Sequence, residues 1–433
     1  MKDRTTLIDG DRIRDRLVNL VRIPSITGDE EQAIRHIADW LSDGGAEVDY
    51  WYDGIGRLLM DPAYPGHEVE RAWVPVVAGM IRGARPGPTV LLTGHVDVVP
   101  PGDYEQWSRD PYSGFVDGDR VYGRGASDMK SGIAAALEAF ETFARGPRDF
   151  PGRVVLIAVP AEEDSGLGTL AAIRRGWTAD AAIVTEPTCR DGYPEIIVAH
   201  AGAMSCLLEI PGAAAHASKR LKGESALEHY LAVHEVLRNA EAAVNANETH
   251  PLMQELQLPY ATNVGLIRGG SWSSTVMDSL QVELRIGVTL NETTAEAKER
   301  FERALTEGLS HDRWLTEHPP RLHWRAAGFG SAETPSDHPL VDYLGDAGQV
   351  AFGERPHIAG APYGCDMSAW VRIANTPTVL YGPGDIVQAH AADEWVSLTT
   401  TLKVTQALVR TTASLLELDP SALQLSGTRK ASV

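Results

Sequence analysis

The chain has 433 residues, of which 43% are hydrophobic and 23% are charged, so it can bury a large core and does not have the composition of a disordered protein. Acidic residues number 59 against 39 lysines and arginines, and the formal net charge is −20. This balance excludes a basic footprint for nucleic acid and a polybasic membrane surface. The sequence shows no secretion signal and no run that is apolar enough to span a bilayer, so we expect a cytoplasmic protein.

The first part of the chain alternates helix and strand patterns. Apolar residues at helical spacing predict helices near residues 13–21 and 34–41, and an alanine-rich helix follows Gly125. Short, unbroken apolar runs then predict strands that are buried on both faces of a parallel sheet. These runs are Val90–Thr93, Val154–Val159, Ala181–Val184 and Pro377–Leu380.

The middle of the chain has a different pattern. It predicts strands and helices in the order βαββαβ, which is typical of a ferredoxin-like domain. The predicted elements are Ser205–Ile210, Ser225–Asn239, Asn263–Ile267, Gln281–Val288, Thr294–Leu309 and Arg321–Arg325. We therefore predict an α/β domain with a mixed, mostly parallel sheet, formed by residues 1–200 and 328–433. A small α+β domain of residues 201–327 is inserted into it.

Residues of the metal-ligand type follow all four predicted parallel strands. They are His95 and Asp97 after the first strand, Glu162 and Glu163 after the second, Glu186 after the third and His390 in the loop beyond the fourth. The functional crevice of an open α/β sheet lies beyond the carboxyl ends of its strands, so we expect these side chains to converge. Adjacent carboxylates repel one another, and a divalent cation would compensate their charge.

Each motif also has a simpler interpretation when it is taken alone. His95 with Asp97 also fits an ordinary polar loop, and Asp128 or Ser127 also fits the N-cap of the alanine-rich helix. Taken together, the residues favour two metal ions that share a bridging carboxylate. Nitrogen and oxygen ligands without cysteine favour zinc, with manganese or cobalt as substitutes. Two such ions can lower the pKa of a shared water molecule and polarise a carbonyl group.

At these residues the sequence resembles a family of dinuclear zinc hydrolases, namely the aminoacylases, acetylornithine deacetylases, succinyl-diaminopimelate desuccinylases and glutamate carboxypeptidases. Five motifs occur in the family's order between Ile23 and His390. The resemblance implies two Zn²⁺ ions per subunit, with Co²⁺ or Mn²⁺ as substitutes. The implied roles are His95 and Glu186 as ligands of the first zinc, Glu163 and His390 as ligands of the second, Asp128 as the bridge, Asp97 as the group that orients His95, and Glu162 as the general base.

The resemblance extends to the inserted domain, which in this family acts as a lid and often forms a homodimer. It implies that His216 holds the oxyanion, often across a dimer, and that Asn263 and Arg285 grip the carboxylate of the substrate. Arginine suits this role because of its two-pronged geometry. The sequence departs from the family's pattern at Ser274–Asp278 and Tyr363–Asp366. The metal ligands are unaffected by these departures, whereas the expected substrate contacts differ.

The implied activity is hydrolysis of the amide bond of an N-acyl amino acid, with Glu162 as the base for a metal-activated water molecule. A carboxypeptidase or dipeptidase with the same metals is the closest alternative, and a non-catalytic binding protein on this scaffold is a second one. The expected partner is thus a small N-acyl amino acid or a short peptide. A nucleotide-binding oxidoreductase is excluded, because the sequence has no glycine-rich turn between a strand and a helix.

Overall fold

The computed structural model describes residues 3–425, without the side chains of residues 326 and 327. This part of the chain forms two compact units. The smaller unit comprises Ala199–Ala332 and Gly360–Gly364, and the larger unit comprises the remaining described residues. The smaller unit therefore ends a few residues beyond the predicted position 327. It also includes a short return segment that no pattern in the sequence indicates.

Within the described residues, a nine-stranded mixed sheet forms the larger unit's centre. The four strands that contain the predicted apolar runs are neighbours and run parallel, whereas strands towards both edges run antiparallel. The α/β prediction is therefore confirmed, with the parallel part confined to the centre of the sheet. In spatial order the strands are Glu47–Gly54, Trp73–Arg82, Pro151–Val159, Arg85–His95, Ala181–Val184, Thr378–Leu380, Ile196–His200 and Ala332–Glu333, and Ile358–Ala361 pairs with Ile196–His200.

The helices of the larger unit pack their apolar stripes into the core. Helix Gly10–Val21 begins at Asp9, whose carboxylate accepts a hydrogen bond from the N–H of Arg12, as is usual for an N-cap. Helix Ser131–Arg145 is buried almost throughout, which explains its many alanines. The other helices are Glu31–Asp43, Ile55–Leu58, Leu167–Arg175, Pro339–Phe352, Met367–Arg372 and Leu398–Leu416. Among residues 3–425, none of the helices has the length and apolar character that spanning a bilayer requires.

The smaller unit has a ferredoxin-like arrangement. Its antiparallel sheet has the spatial order Thr262–Gly269, Ser279–Val288, Gly202–Pro211 and Arg321–Phe329. Its helices are Ala226–Ala246, Pro251–Gln254, Thr294–Gly308 and Arg313–Glu317. Alternate residues of the central strands, such as Leu280, Val282 and Leu284, are buried in one core with Val233 and Phe301 from the helices. The intervening positions, including Arg285, are partly or fully exposed, so the sheet has one apolar and one polar face.

Candidate active site

Five side chains converge at the carboxyl ends of the four parallel strands. Parallel strands end at the same edge of a sheet, which brings residues that are distant in the sequence together. The side chains are His95 at the end of Arg85–His95, Glu162 and Glu163 beyond Pro151–Val159, Glu186 beyond Ala181–Val184, and His390 beyond Thr378–Leu380. The Nε2 atom of His95 lies 3.9 Å from the carboxylate of Glu162 and 3.8 Å from that of Glu186.

Asp128 lies between the two histidines. Its Oδ1 atom is 3.2 Å from His95 Nε2, and its Oδ2 atom is 3.8 Å from His390 Nε2. His390 Nε2 in turn lies 3.1 Å from Glu163 Oε2. The helix that follows has Lys130 as its N-cap residue, so Asp128 does not cap that helix. One carboxylate oxygen therefore faces each histidine, which is the arrangement that a bridging ligand requires.

The donor atoms of this cluster are close enough to hold metal ions. Within the described residues, His95, Asp128 and Glu163 form one group, and His95, Glu162 and Glu186 form a second. In each group the donor atoms all lie within 4.8 Å of one another. Imidazole nitrogen and carboxylate oxygen suit zinc and related divalent ions. The residues present therefore fit a metal centre.

Asp97 makes hydrogen bonds both to the side chain of His95 and to the turn that contains Glu162 and Glu163. His95 Nδ1 donates to the backbone oxygen of Asp97 at 2.9 Å, while the Asp97 carboxylate is 3.5 Å away. The same carboxylate accepts hydrogen bonds from the backbone N–H groups of Glu162 and Glu163, both at 3.1 Å, and from the hydroxyl of Thr27 at 3.0 Å. This hydrogen bond keeps a proton on Nδ1, so that Nε2 offers its lone pair to a metal ion when the ring is neutral.

The cluster has too little positive charge for its acidic groups. Burial raises the pKa of Glu162 well above its ordinary value, and the neighbouring Glu186 and Asp366 add to the effect against the opposing influence of His95. Burial raises the pKa of Glu186 in the same way. Burial by itself would lower the pKa of His95, but Glu186 and Asp128 raise it well above its ordinary value. In the absence of cations, the cluster therefore tends to retain protons.

Two buried carboxyl groups near the cluster were not assigned a role from the sequence. Asp366 is 1% exposed, and burial raises its pKa to about 6, with His95 and Asp97 among the charges it senses. Glu394 is equally buried, in the loop beyond His390. Asp366 lies in a segment that departs from the family's pattern. A lone acidic residue such as Glu394 carries no signal in the sequence until its contacts are known.

The remaining predicted site residues belong to the smaller unit. His216 is exposed, and its Nδ1 atom accepts a hydrogen bond from the N–H of Ser218 at 3.2 Å. This bond leaves the ring proton on Nε2, where it is available for donation. Asn263 and Arg285 are paired across neighbouring strands, and both side chains are exposed. Among the described residues, no carboxylate forms an ion pair with Arg285.

A comparison with protein families places this fold and its acidic cluster among the metal-dependent hydrolases. The family model described as "Peptidase family M20/M25/M40" matches residues 91–414. This range covers most of the chain and includes every residue of the acidic cluster. The chain therefore belongs to peptidase family M20/M25/M40.

The chain is similar in sequence to two deacylases and similar in fold to a peptidase. An N-formyl-4-amino-5-aminomethyl-2-methylpyrimidine deformylase from Bacillus subtilis is 27% identical over 393 residues, or 86% of either chain. An acetylornithine deacetylase from Salmonella heidelberg is 28% identical over 412 residues, which cover 90% of this chain and 94% of the relative. An M20 family metallo-carboxypeptidase from Sulfolobus solfataricus shares the fold, with a TM-score of 0.72 and 15% identity over 93% of this chain and 98% of its own.

Proposed function

We propose that this protein hydrolyses the amide bond of an N-acyl amino acid by means of two divalent metal ions. The observation that carries the proposal is the placement of Asp128, which presents one carboxylate oxygen to His95 and the other to His390. Among the described residues, the buried carboxylates of Glu162 and Glu186 share a single cationic partner, His95. Two relatives with high coverage are named for the removal of formyl and acetyl groups from nitrogen, which supports a deacylase.

We propose Zn²⁺ as the native ion, with Co²⁺ and Mn²⁺ as substitutes. His95 and Glu186 would hold one ion, Glu163 and His390 would hold the other, and Asp128 would bridge them. The donor set of imidazole and carboxylate groups supports this choice. Two bound ions would supply Lewis acidity for the scissile carbonyl group and for the attacking water molecule.

Glu162 is the proposed general base. Its carboxylate is buried beside His95, within the cluster where a water molecule and the scissile amide would meet. It would accept a proton from the attacking water and then deliver that proton to the leaving amine. A carboxylate can perform both transfers in one turnover.

The proposed lid residues act on the substrate. His216 carries its proton on Nε2, so it would donate a hydrogen bond to the oxyanion that develops on the carbonyl. Arg285 and Asn263 lie side by side on the exposed face of their sheet, where the guanidinium would bind the substrate's carboxylate. Replacing His216 with Ala is expected to lower kcat about 100-fold with unchanged metal content. An unaltered kcat would remove His216 from the mechanism.

We further propose a cytoplasmic homodimer in which residues 201–327 form the lid and dimerisation domain of a catalytic domain built from 1–200 and 328–433. Strand Thr262–Gly269 is at the edge of its sheet and exposes Leu266 and Ile267. An exposed apolar edge strand is suited to pairing with another chain. Sedimentation that finds only monomers would remove the dimer and any role of His216 across it.

The test of the activity combines metal analysis with a substrate panel. The purified protein is assayed for amine release with acetyl, succinyl and formyl amino acids, an N-formyl aminopyrimidine and dipeptides. We expect about two metal ions per chain and hydrolysis of an N-acyl amino acid in preference to the others. Preferential cleavage of dipeptides would make the protein a peptidase. A protein that binds the ions but cleaves none of these compounds would favour the non-catalytic alternative.

A further inference from the structure

The buried carboxylate of Glu394 holds the loop that contains Asp128. Its Oε1 atom accepts hydrogen bonds from the backbone N–H groups of Ser127 at 2.8 Å and Asp128 at 3.1 Å. Its Oε2 atom accepts from the N–H of Gly125 at 3.0 Å and from Nη1 of Arg124 at 2.7 Å. Both carboxylate oxygens are thus used twice, and three of the four donors belong to the backbone of one short segment.

Arg124 extends the same contact to the loop that contains His390. The guanidinium donates from Nη1 to the backbone oxygen of Ala391 and from Nη2 to that of His390, both at 3.2 Å. Arg124 is 2% exposed and Glu394 is 1% exposed, so the ion pair between them is shielded from water. One buried ion pair therefore joins the loops of Asp128 and His390, which lie far apart in the sequence.

The loop of His390 needs such support because its backbone is strained. His390 has a φ of 62° and Asp393 a φ of 55°, which are left-handed values that residues other than glycine rarely adopt. Residues in this conformation persist when surrounding contacts hold them there. A further contact joins the same loops, from the Ser127 hydroxyl to the backbone oxygen of Asp385 at 3.0 Å. The N–H of Ser108, from an earlier part of the chain, also holds Asp393 in the loop of His390, at 2.8 Å.

We propose that Arg124 and Glu394 are positioning residues of the metal centre, which set the separation of Asp128 and His390 and thereby the affinity for the ion that these two residues share. The inference rests on the proposed function, because it assumes that both residues are metal ligands. Metal ligands must be held within about half an ångström of their working positions. Groups that orient ligands typically contribute about 10- to 100-fold to metal affinity.

Glutamine is a sharp probe of Glu394 because it has almost the same shape. In the native protein, donors face both carboxylate oxygens of Glu394. A glutamine amide has one oxygen and one NH₂ group, so in either orientation the NH₂ group would face two N–H donors. Glu394→Gln therefore disturbs the loop of Asp128 without creating a cavity.

The experiment measures metal affinity in the absence of substrate. The metal-free full-length protein is titrated with Zn²⁺ in competition with a chromophoric chelator. We expect Glu394→Gln to weaken binding of one of the two ions about 10- to 100-fold. The control is Glu141→Gln, which alters another buried ion pair, with Arg16, and is expected to leave both affinities unchanged. Wild-type affinity for both ions in Glu394→Gln would overturn the proposal.

A second variant covers the case in which Glu394→Gln does not fold. Arg124→Lys keeps the charge beside Glu394, but a lysine cannot donate to the two carbonyl groups of the His390 loop as the guanidinium does. We expect weaker binding of the same ion and an altered visible spectrum of the Co²⁺-loaded protein. Unchanged affinity and spectrum would overturn the proposal. A wild-type chain that binds both ions but hydrolyses nothing would refute the proposed function and leave this inference intact.

Discussion

The larger unit contains two buried acidic clusters that differ in how their charge is compensated. In the first, Glu138 and Glu141 are surrounded by arginines. Arg16 Nη1 lies 3.3 Å from Glu138, Arg145 Nη1 lies 2.6 Å from Glu141, and Arg12 approaches both. In the second, the carboxylates of Asp128, Glu162, Glu163 and Glu186 form ion pairs, among the described residues, only with His95 and His390.

The difference separates a cluster whose charge is balanced by the protein's own arginines from one that is suited to binding cations. Arginine is always charged at physiological pH, so the first cluster is complete in the protein itself. The second cluster has two histidines for four carboxylates, and burial raises the pKa of Glu162 and Glu186 well above their ordinary values. The second cluster therefore becomes complete only when cations bind. Perturbed acidic groups in such a setting are typical of functional sites.

Removal of metal should have the largest effect on activity and stability. Without cations the negative charge of the second cluster is not compensated, whereas the first cluster keeps its arginines. We expect a chelator to abolish activity and to lower the free energy of unfolding by about 4 kcal/mol, the linkage value for an ion present at a thousand times its dissociation constant. Calorimetry and amine release check this, and added Zn²⁺ should restore both. An unchanged melting temperature after verified metal removal would contradict the charge-deficit interpretation.

Glu162→Gln should separate chemistry from binding within the second cluster. We expect kcat to fall about 1,000-fold because the proposed general base is lost, while metal content stays at the wild-type level. Elemental analysis of the purified variant is the control, because a loss of metal would explain the same fall in rate. Full activity with metal bound would show that another group acts as the base.

Glu141→Gln should produce the opposite result in the first cluster. Loss of one buried carboxylate leaves Arg16 and Arg145 incompletely paired, and we expect a loss of about 3 kcal/mol in the free energy of unfolding. Metal affinity and kcat should not change. Urea denaturation and Zn²⁺ titration measure the two quantities. A weaker affinity for metal would mean that the two clusters are not independent.

The smallest of the expected effects is the change with pH in the free energy of unfolding of the metal-free protein. The pKa values of Glu162 and Glu186 are raised above 4.5 and that of His95 above 6.5. The folded protein therefore binds more protons than the unfolded chain above these ordinary values. The free energy of unfolding should then fall as the pH rises from about 5 to 8. Urea denaturation after chelation tests this, and a rise in stability over that range would contradict it.

Strands and ligand types could be predicted because their patterns are local. Val154–Val159 and Ala181–Val184 are apolar without interruption, since both faces of a central parallel strand are buried. The antiparallel edges of the sheet and the return segment Gly360–Gly364 could not be predicted, because they depend on pairing between distant parts of the chain. The contacts of Glu394 were missed for the same reason.

The sequence by itself determined which residue types follow each strand, and hence that imidazole and carboxylate groups would be delivered to one edge of a sheet. Only the tertiary structure decided which atoms meet there. In that structure the two carboxylate oxygens of Asp128 lie near different histidines. The carboxylate of Asp97 accepts hydrogen bonds from two backbone N–H groups. The physical reason is that these distances depend on how strands and loops from distant parts of the chain pack together, which no local pattern records.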